Sequence, residues 1–379
     1  MIMRVCYVLS TSEVTGGANR SALDMIGGLD RSRVEPVVLI KKHGDIEDVL
    51  KRMDVPVYCI PFINEVSTSN PLLDGMKRVN ALKTTWQVKR FLKEKHIQIV
   101  HNNSLPALAG MEAASELGIP YVCHIREQVK AGLGLRLLNE KKHYQIVRKA
   151  SSIIAISDFV CEEYKDVIGD LPIRVLHDGF NTSLYVNDDK AIFTREDVKL
   201  AIYGNLDPQK GQMDAIRAFE SLSASGNVEL KLYVIGNQGT SYAAEARKYV
   251  LDRNMDNVFF VEPIKNQEDL KKSRADMDIN LVCSSSEGLG RVTVESMLSG
   301  NLTIGARAGA TPEIIRDGEN GLLYECANAA DLADKIRWAI ENRSAAQKIA
   351  ENGRRFARDK YSITRYVAKI QDIYNEISR

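Results

Sequence analysis

The chain lacks the roughly 18 uninterrupted apolar residues that a membrane-crossing helix needs, so nothing in it is expected to span a bilayer. It lacks net charge: 51 Lys+Arg against 50 Asp+Glu leave +1, which gives no electrostatic ground for a nucleic-acid partner. Six cysteines, at 6, 59, 123, 161, 283 and 326, form no C-x-x-C pair, and several sit in apolar runs. They are expected to be reduced and buried, as in a cytosolic protein, rather than a disulfide framework. No basic leader precedes the first apolar run, so no secretion signal is expected. No G-x-G-x-x-G follows the first strand, which speaks against nicotinamide binding. The six histidines are dispersed. Asp276 and Asp278 have D-x-D spacing but precede a strand instead of following one, and read as an exposed strand entry. The expectation is no metal and no cofactor. Repeats and low-complexity tracts are also missing.

What is present is ordinary globular composition, 44% hydrophobic and 27% charged, at a length that suits two cores better than one. Short Val/Ile-rich runs bounded by turn residues predict strands at 3–9, 36–40, 57–60, 97–102, 121–125, 152–156 and 173–176. A second series predicts strands at 198–203, 230–235, 258–261, 279–283, 302–304 and 321–324. Helical segments separate them, so each series predicts a parallel sheet covered on both faces. The clearest helix is 81–96, with Leu82, Trp86 and Leu92 assigned to one face and lysines to the other. The polar stretch 181–196, with Asn187, Asp188, Asp189 and Lys190, reads as a linker. The fold class is therefore α/β, with two doubly wound domains, and ligands are expected beyond the carboxyl ends of the strands. Charge is uneven: residues 75–150 hold 14 Lys+Arg against five Asp+Glu. That basic region suits either solvated helix faces or peripheral contact with anionic lipid.

The densest chemical signal follows the strand at 279–283. It is Ser284-Ser285-Ser286-Glu287-Gly288-Leu289-Gly290-Arg291-Val292-Thr293-Val294-Glu295. The two glycines let backbone N–H groups approach a ligand, and a helix start there offers unpaired donors to an anion. Glu287 and Glu295 supply acceptors for hydroxyl groups. A ligand with both anionic and hydroxyl groups, such as a nucleotide sugar, suits this set.

Two further stretches complete a pattern. Upstream lies Gly204-Asn205-Leu206-Asp207-Pro208-Gln209-Lys210-Gly211, and downstream Gly305-Ala306-Arg307-Ala308-Gly309-Ala310-Thr311-Pro312-Glu313-Ile314-Ile315. In this order the chain resembles the retaining glycosyltransferases of family 4 with the GT-B fold, over nearly its whole length. The resemblance implies two Rossmann-like domains facing a cleft. Residues 1–182 form the acceptor side, 183–360 bind the nucleotide sugar, and a final helix within 361–379 returns to the first domain. It implies that Lys210 neutralises the donor diphosphate, that Glu287 faces the donor sugar and that Glu295 binds the ribose. Gly204, Asn205, Gly288, Leu289, Gly290 and Arg291 then line the donor, together with Gly16 and Gly17 after the first strand. His124 is placed near the sugar, with Arg126 and Glu127 toward the acceptor, and His101 is read as structural. Relatives often carry an arginine where Asn205 stands, and Arg291 is the candidate to replace it.

The activity so implied is retaining transfer of a sugar, favoured as a UDP-sugar, to a glycan or lipid-linked acceptor in cell-surface polysaccharide synthesis. It is expected to need no metal, with the protein in the cytoplasm or at the inner membrane face. GDP-mannose is the rival donor. A nucleotide-sugar epimerase and an inactive nucleotide-sugar binder are the rival activities, since fold alone does not separate them.

Overall fold

The computed structural model describes residues 2–14, 16–68, 70–185, 190–223 and 228–378, in two compact units. The first unit is Met1–Phe180 with Ile363–Arg379, and the second is Asn181–Ser362.

The first unit alternates β1 (Met3–Leu9), α1 (Gly17–Gly27), β2 (Val34–Ile40), α2 (Ile46–Arg52), β3 (Val57–Cys59), α3 (Pro71–Glu94), β4 (Ile99–Asn102) and α4 (Leu108–Leu117). It continues with β5 (Tyr121–Ile125), α5 (Glu140–Val147), β6 (Ser152–Ala155), α6 (Asp158–Glu162), α7 (Lys165–Ile168) and β7 (Ile173–Val175). The sheet order is 3-2-1-4-5-6-7, and every pairing is parallel. Strands covered on both faces must be apolar on both, which is why Val5, Cys6, Tyr7, Val8 and Leu9 are all fully buried.

The second unit repeats the plan with β8 (Val198–Tyr203), α8 (Gln212–Ser223), β9 (Leu230–Ile235), α9 (Ser241–Asp252), β10 (Val258–Val261), α10 (Gln267–Ala275) and β11 (Ile279–Val282). Then come α11 (Arg291–Leu298), β12 (Leu302–Ala306), α12 (Thr311–Ile314), β13 (Leu322–Tyr324), α13 (Ala329–Glu341) and α14 (Arg343–Lys360). Its parallel sheet has the order 10-9-8-11-12-13. In both sheets the order reverses beside the unit's first strand, between β1 and β4 and between β8 and β11. Such a reversal leaves a crevice at the strands' carboxyl ends.

The last helix, α15 (Ile363–Ile377), packs on the first unit's core through Tyr366, Val367, Ile370, Ile373 and Tyr374. Gly179 permits this approach: a Cβ there would lie 2.6 Å from the Tyr366 Cβ and 2.8 Å from the Ile363 Cα.

Three expectations need correction. The helix assigned to 81–96 begins at Pro71, with Asn70 as its cap accepting from the Leu72 and Leu73 N–H groups. Its buried face is Ala81, Thr84, Thr85, Val88, Phe91 and Leu92. Leu82 and Trp86 are 67% and 62% exposed, because α4 packs against the other side. Within the supposed linker, Asn187, Asp188 and Asp189 lie outside the described residues, but Lys190, Ile192 and Phe193 are buried in the second unit. The Asp276/Asp278 pair is no exposed strand entry. Asp278 is buried and accepts from the backbone N–H groups of Phe193 and Lys199, while Asp276 pairs with Arg195 and Lys199.

Four of the six free cysteines are buried, whereas Cys59 and Cys326 are half-buried. No described helix is long and apolar enough to cross a membrane.

Candidate active site

In the second unit the Gly204–Lys210 loop follows β8, and the Ser284–Gly290 loop follows β11, so both stand at the switch point of the sheet. The turn that presents Lys210 is fixed locally. Asp207 caps it by accepting from the Gln209 N–H, Pro208 starts a single 3₁₀ turn, and Gly211 ends it at φ +66°. A Cβ on Gly211 would lie 2.3 Å from the Cys283 carbonyl oxygen, so only glycine brings this loop against the end of β11. The result is direct contact: Lys210 Nζ donates to Glu287 Oε1 at 2.5 Å. Ser284 Oγ donates to the same oxygen at 2.7 Å.

The backbone of Glu287 is cradled by the loop after β12. The Ala310 N–H donates to its carbonyl at 2.9 Å, and Gly309 (φ +57°) comes so near that a Cβ would lie 2.5 Å from the Glu287 nitrogen. Gly290 caps α11 in the left-handed region at φ +83° with no side chain to satisfy the first-turn donors. An ammonium, a helix start without a side-chain cap and a carboxylate therefore meet at one strand end. Leu289 is buried, so of this residue the backbone is the part that can face a ligand.

Glu295 is also buried. Its Oε2 accepts from Arg274 Nη2 at 2.7 Å, and its Oε1 accepts from Tyr185 Oη at 3.2 Å and from Arg291 Nη2 at 3.3 Å. Arg291 is thus paired with a carboxylate one helical turn along α11. Asn205 itself is exposed.

Arg274, buried on α10 with its guanidinium 4.2 Å over the Tyr203 ring, is a residue that the sequence did not announce. Its segment, Lys271-Lys272-Ser273-Arg274, reads as a run of solvated charge. The only available signal was Leu270, four residues earlier and buried on the same face.

In the first unit His124 stands next to the end of β5 with no solvent exposure. Its Nδ1 lies 3.1 Å from His101 Nε2, His101 Nδ1 lies 2.7 Å from Tyr374 Oη, and Tyr374 Oη donates to Tyr7 Oη at 3.0 Å. This buried chain runs from α15 through β4 to β5 and leaves His124 Nε2 without a partner. Burial pushes His101 down to about 3 and His124 well below the usual histidine range, so both rings are neutral near pH 7. With Tyr374 donating to Tyr7, His101 Nδ1–H donates to Tyr374 and its Nε2 accepts from His124 Nδ1–H. The outer nitrogen of His124 is then an acceptor. His101 is accordingly a positioning member of this chain.

Arg126 departs from expectation. Its Nη1 donates to both Asp178 oxygens at 2.7 and 2.9 Å and its Nε to Asn103 Oδ1 at 2.7 Å, all buried. This geometry ties β5 to the segment after β7, which corrects the acceptor-facing role for its side chain. Asn103 in turn donates to the Ala18 carbonyl, just inside α1. Glu127 Oε1 accepts from Ser104 Oγ at 2.8 Å and the Leu105 N–H at 2.9 Å, so this oxygen already holds the loop after β4. Gly16 caps α1 without a side-chain hydrogen bond, and a Cβ on it would meet nothing within 4 Å, so open space lies before that helix start shared with Gly17.

Among the described residues no three His, Cys, Asp or Glu side chains gather as a metal site. A surface concavity of about 750 Å³ lined by Asp317, Asp331, Lys335, Trp338 and Lys348 contains none of the candidate site residues.

Known proteins resemble this chain in both halves. The family described as Glycosyl transferases group 1 matches residues 187–356, and that described as Glycosyltransferase Family 4 matches residues 15–184. An uncharacterized glycosyltransferase of Methanocaldococcus jannaschii is 24% identical over 350 residues, 88% of this chain and 93% of the relative. The capsular polysaccharide biosynthesis glycosyltransferase CapM of Staphylococcus aureus is 24% identical, with the same coverage of both chains. Among solved structures, Anabaena Alr3699/HepE in complex with UDP-glucose has a TM-score of 0.80 at 21% identity, covering 99% of this chain and 100% of that one. TarM has a TM-score of 0.77 at 15% identity, with 99% of each chain covered.

Proposed function

Because the chain belongs to the group 1, family 4 glycosyltransferases, with the GT-B fold, we propose that it moves a sugar from a UDP-sugar to a glycan or lipid-linked acceptor with retention of anomeric configuration. The observation that carries the reading is the meeting of Lys210 and Glu287 at the switch point of the second unit, beside the uncapped start of α11. The uracil nucleotide is favoured because the HepE structure holds UDP-glucose. A role in cell-surface polysaccharide synthesis is favoured by the resemblance to CapM.

In this reading the donor diphosphate takes the Lys210 ammonium from Glu287. The freed carboxylate accepts hydroxyls of the sugar, and the N–H groups near Gly288 and Gly290 bind phosphate oxygens. Glu295 accepts the ribose hydroxyls by exchanging them for Tyr185 and Arg291, while Arg274 keeps it oriented. With Asn205 in the loop, Lys210 carries side-chain charge for the leaving phosphate, and Arg291, exchanged out of its pair with Glu295, is the candidate for a second cation.

Retention follows from attack of the acceptor oxygen on the anomeric carbon from the side of the departing diphosphate. The C–O bond to phosphate breaks as the new glycosidic bond forms, and the acceptor's proton passes to the leaving phosphate oxygen. Trapping of a covalent glycosyl-enzyme would contradict this step. No metal ion is assigned a part.

The test is calorimetry of the purified, chelator-treated chain with UDP, GDP, ADP and dTDP, beside Lys210→Ala. UDP is expected to bind without added metal. The variant should bind about 10- to 100-fold more weakly, as a charge-assisted phosphate contact worth about 1.5–3 kcal/mol implies. Preference for GDP would move the donor to GDP-mannose. No binding by any of the four would leave an inactive member of the fold.

A further inference from the structure

Two apolar faces run along α3. The inner one is buried, as described above. On the outer one Leu72, Met76, Val79, Leu82 and Trp86 recur at intervals of three and four residues and are 81, 63, 68, 67 and 62% exposed. Single exposed apolar residues are normal, but a continuous helical stripe of five calls for something to cover it. The loop bearing Leu133 and Leu135, also exposed, adjoins the N-terminal half of this helix. The Ser67 N–H donates to the Arg136 carbonyl, and Arg78 donates to the Leu138 carbonyl.

Charge indicates what covers the stripe. The helix carries six Lys or Arg and only two acids, Asp74 and Glu94. Asp74 already accepts from Ser67 and Thr68, and Glu94 pairs with Arg90. Lys83 lies at the edge of the stripe and Lys93 beyond its end, and among the described residues neither makes an ion pair. A second copy of the chain would bring to this face another helix with the same excess of Lys and Arg, whose two acids are already engaged. An anionic lipid surface meets both demands: acyl chains for the stripe and headgroups for the lysines.

We propose that the outer face of α3 docks the chain onto anionic membrane surfaces, with Leu82 and Trp86 at the acyl boundary and Lys83 and Lys93 among the headgroups. The helix lies on the bilayer and does not cross it. This docking is independent of the donor reading, because its residues belong to the first unit and touch no donor group named above.

The chain has two tryptophans, Trp86 and Trp338, so a Trp338→Phe background leaves Trp86 as the reporter. At low salt, vesicles of phosphatidylcholine and phosphatidylglycerol in equal parts should shift Trp86 emission to the blue and carry the chain in flotation. Vesicles of phosphatidylcholine alone should do neither, and high salt should reverse both effects. Each lysine near such a surface is worth about fivefold in partition, so Lys83→Gln with Lys93→Gln should weaken binding about thirtyfold. Leu82→Ser, read by flotation and by Trp86 emission, should also weaken it.

Flotation that survives all three substitutions, or no flotation at all, overturns the proposal. So does self-association in sedimentation velocity that Leu82→Ser abolishes, which would make the face a contact between copies. UDP calorimetry on the same preparation keeps the two readings apart, since lost vesicle binding with intact UDP binding overturns the docking alone.

Discussion

Arg274 and Glu295 form a fully enclosed ion pair, and such pairs are worth more for what they prevent than for what they add. Arg274→Ala takes from a buried carboxylate its shortest ion-pair partner, and should destabilise the second unit by about 3–5 kcal/mol in denaturant titration. Arg274→Met, which fills most of the volume, should still weaken UDP binding, because Glu295 loses the group that orients it. Unchanged UDP affinity in a folded Arg274→Met protein would remove Arg274 from the site and leave it a packing residue. A cation inside a polar helix was illegible because composition cannot say which of several charges turns inward. Lys210 was legible through the resemblance of its loop to the family's, and the structure shows what presents it, a turn fixed by glycine, proline and a capping aspartate.

At the scale of elements, glycines decide how closely the loops approach. Gly309 and Gly318 both stand at positive φ, +57° and +75°. An added Cβ meets the Glu287 backbone at 2.5 Å in the first case and nothing within 4 Å in the second. Gly318→Ala should therefore cost only backbone strain, about 1–2 kcal/mol, and leave ligand binding intact. Gly309→Ala carries the same strain and must also displace Glu287, so it should weaken a bound UDP-sugar more than UDP. Equal affinities in the two variants would show that the loop after β12 does not position Glu287. Helix α3 is the element where pattern reading went astray. With apolar residues on both sides, periodicity identified a helix but not the side that α4 covers.

At the scale of the whole molecule, buried histidines set the acid response. His101 and His143 are pushed by burial to about 3 and about 4, and His124 is held well below its usual range. Their folded values lie below the unfolded value of about 6.5, so the unfolded chain binds the extra protons. Their contribution is complete above about pH 6.5 and declines as pH falls toward the folded values, by up to about 1.4 kcal/mol per pH unit for each ring. All three belong to the first unit, which should melt first on acidification. His143→Gln keeps a donor for the Leu105 carbonyl and should flatten the pH dependence of the melting free energy by about one proton. The same slope in wild type and variant would mean that His143 is not held neutral by burial.

The sequence by itself determined the two sheets, since strands buried on both faces must be Val/Ile-rich wherever they lie. Ten of the thirteen strands begin and end within a residue of their apolar runs, and β1, β5, β8, β9 and β10 match them at both ends. It also determined the glycine loops, because only glycine tolerates those angles and approaches. Tertiary structure alone decided which face of α3 stays in water and that Arg126 is closed into a pair with Asp178. It alone decided that Arg274 sits beneath Glu295 and that Tyr374, hundreds of residues away, steadies His101. Each of these depends on what a distant segment places opposite a side chain, and local pattern carries no record of that.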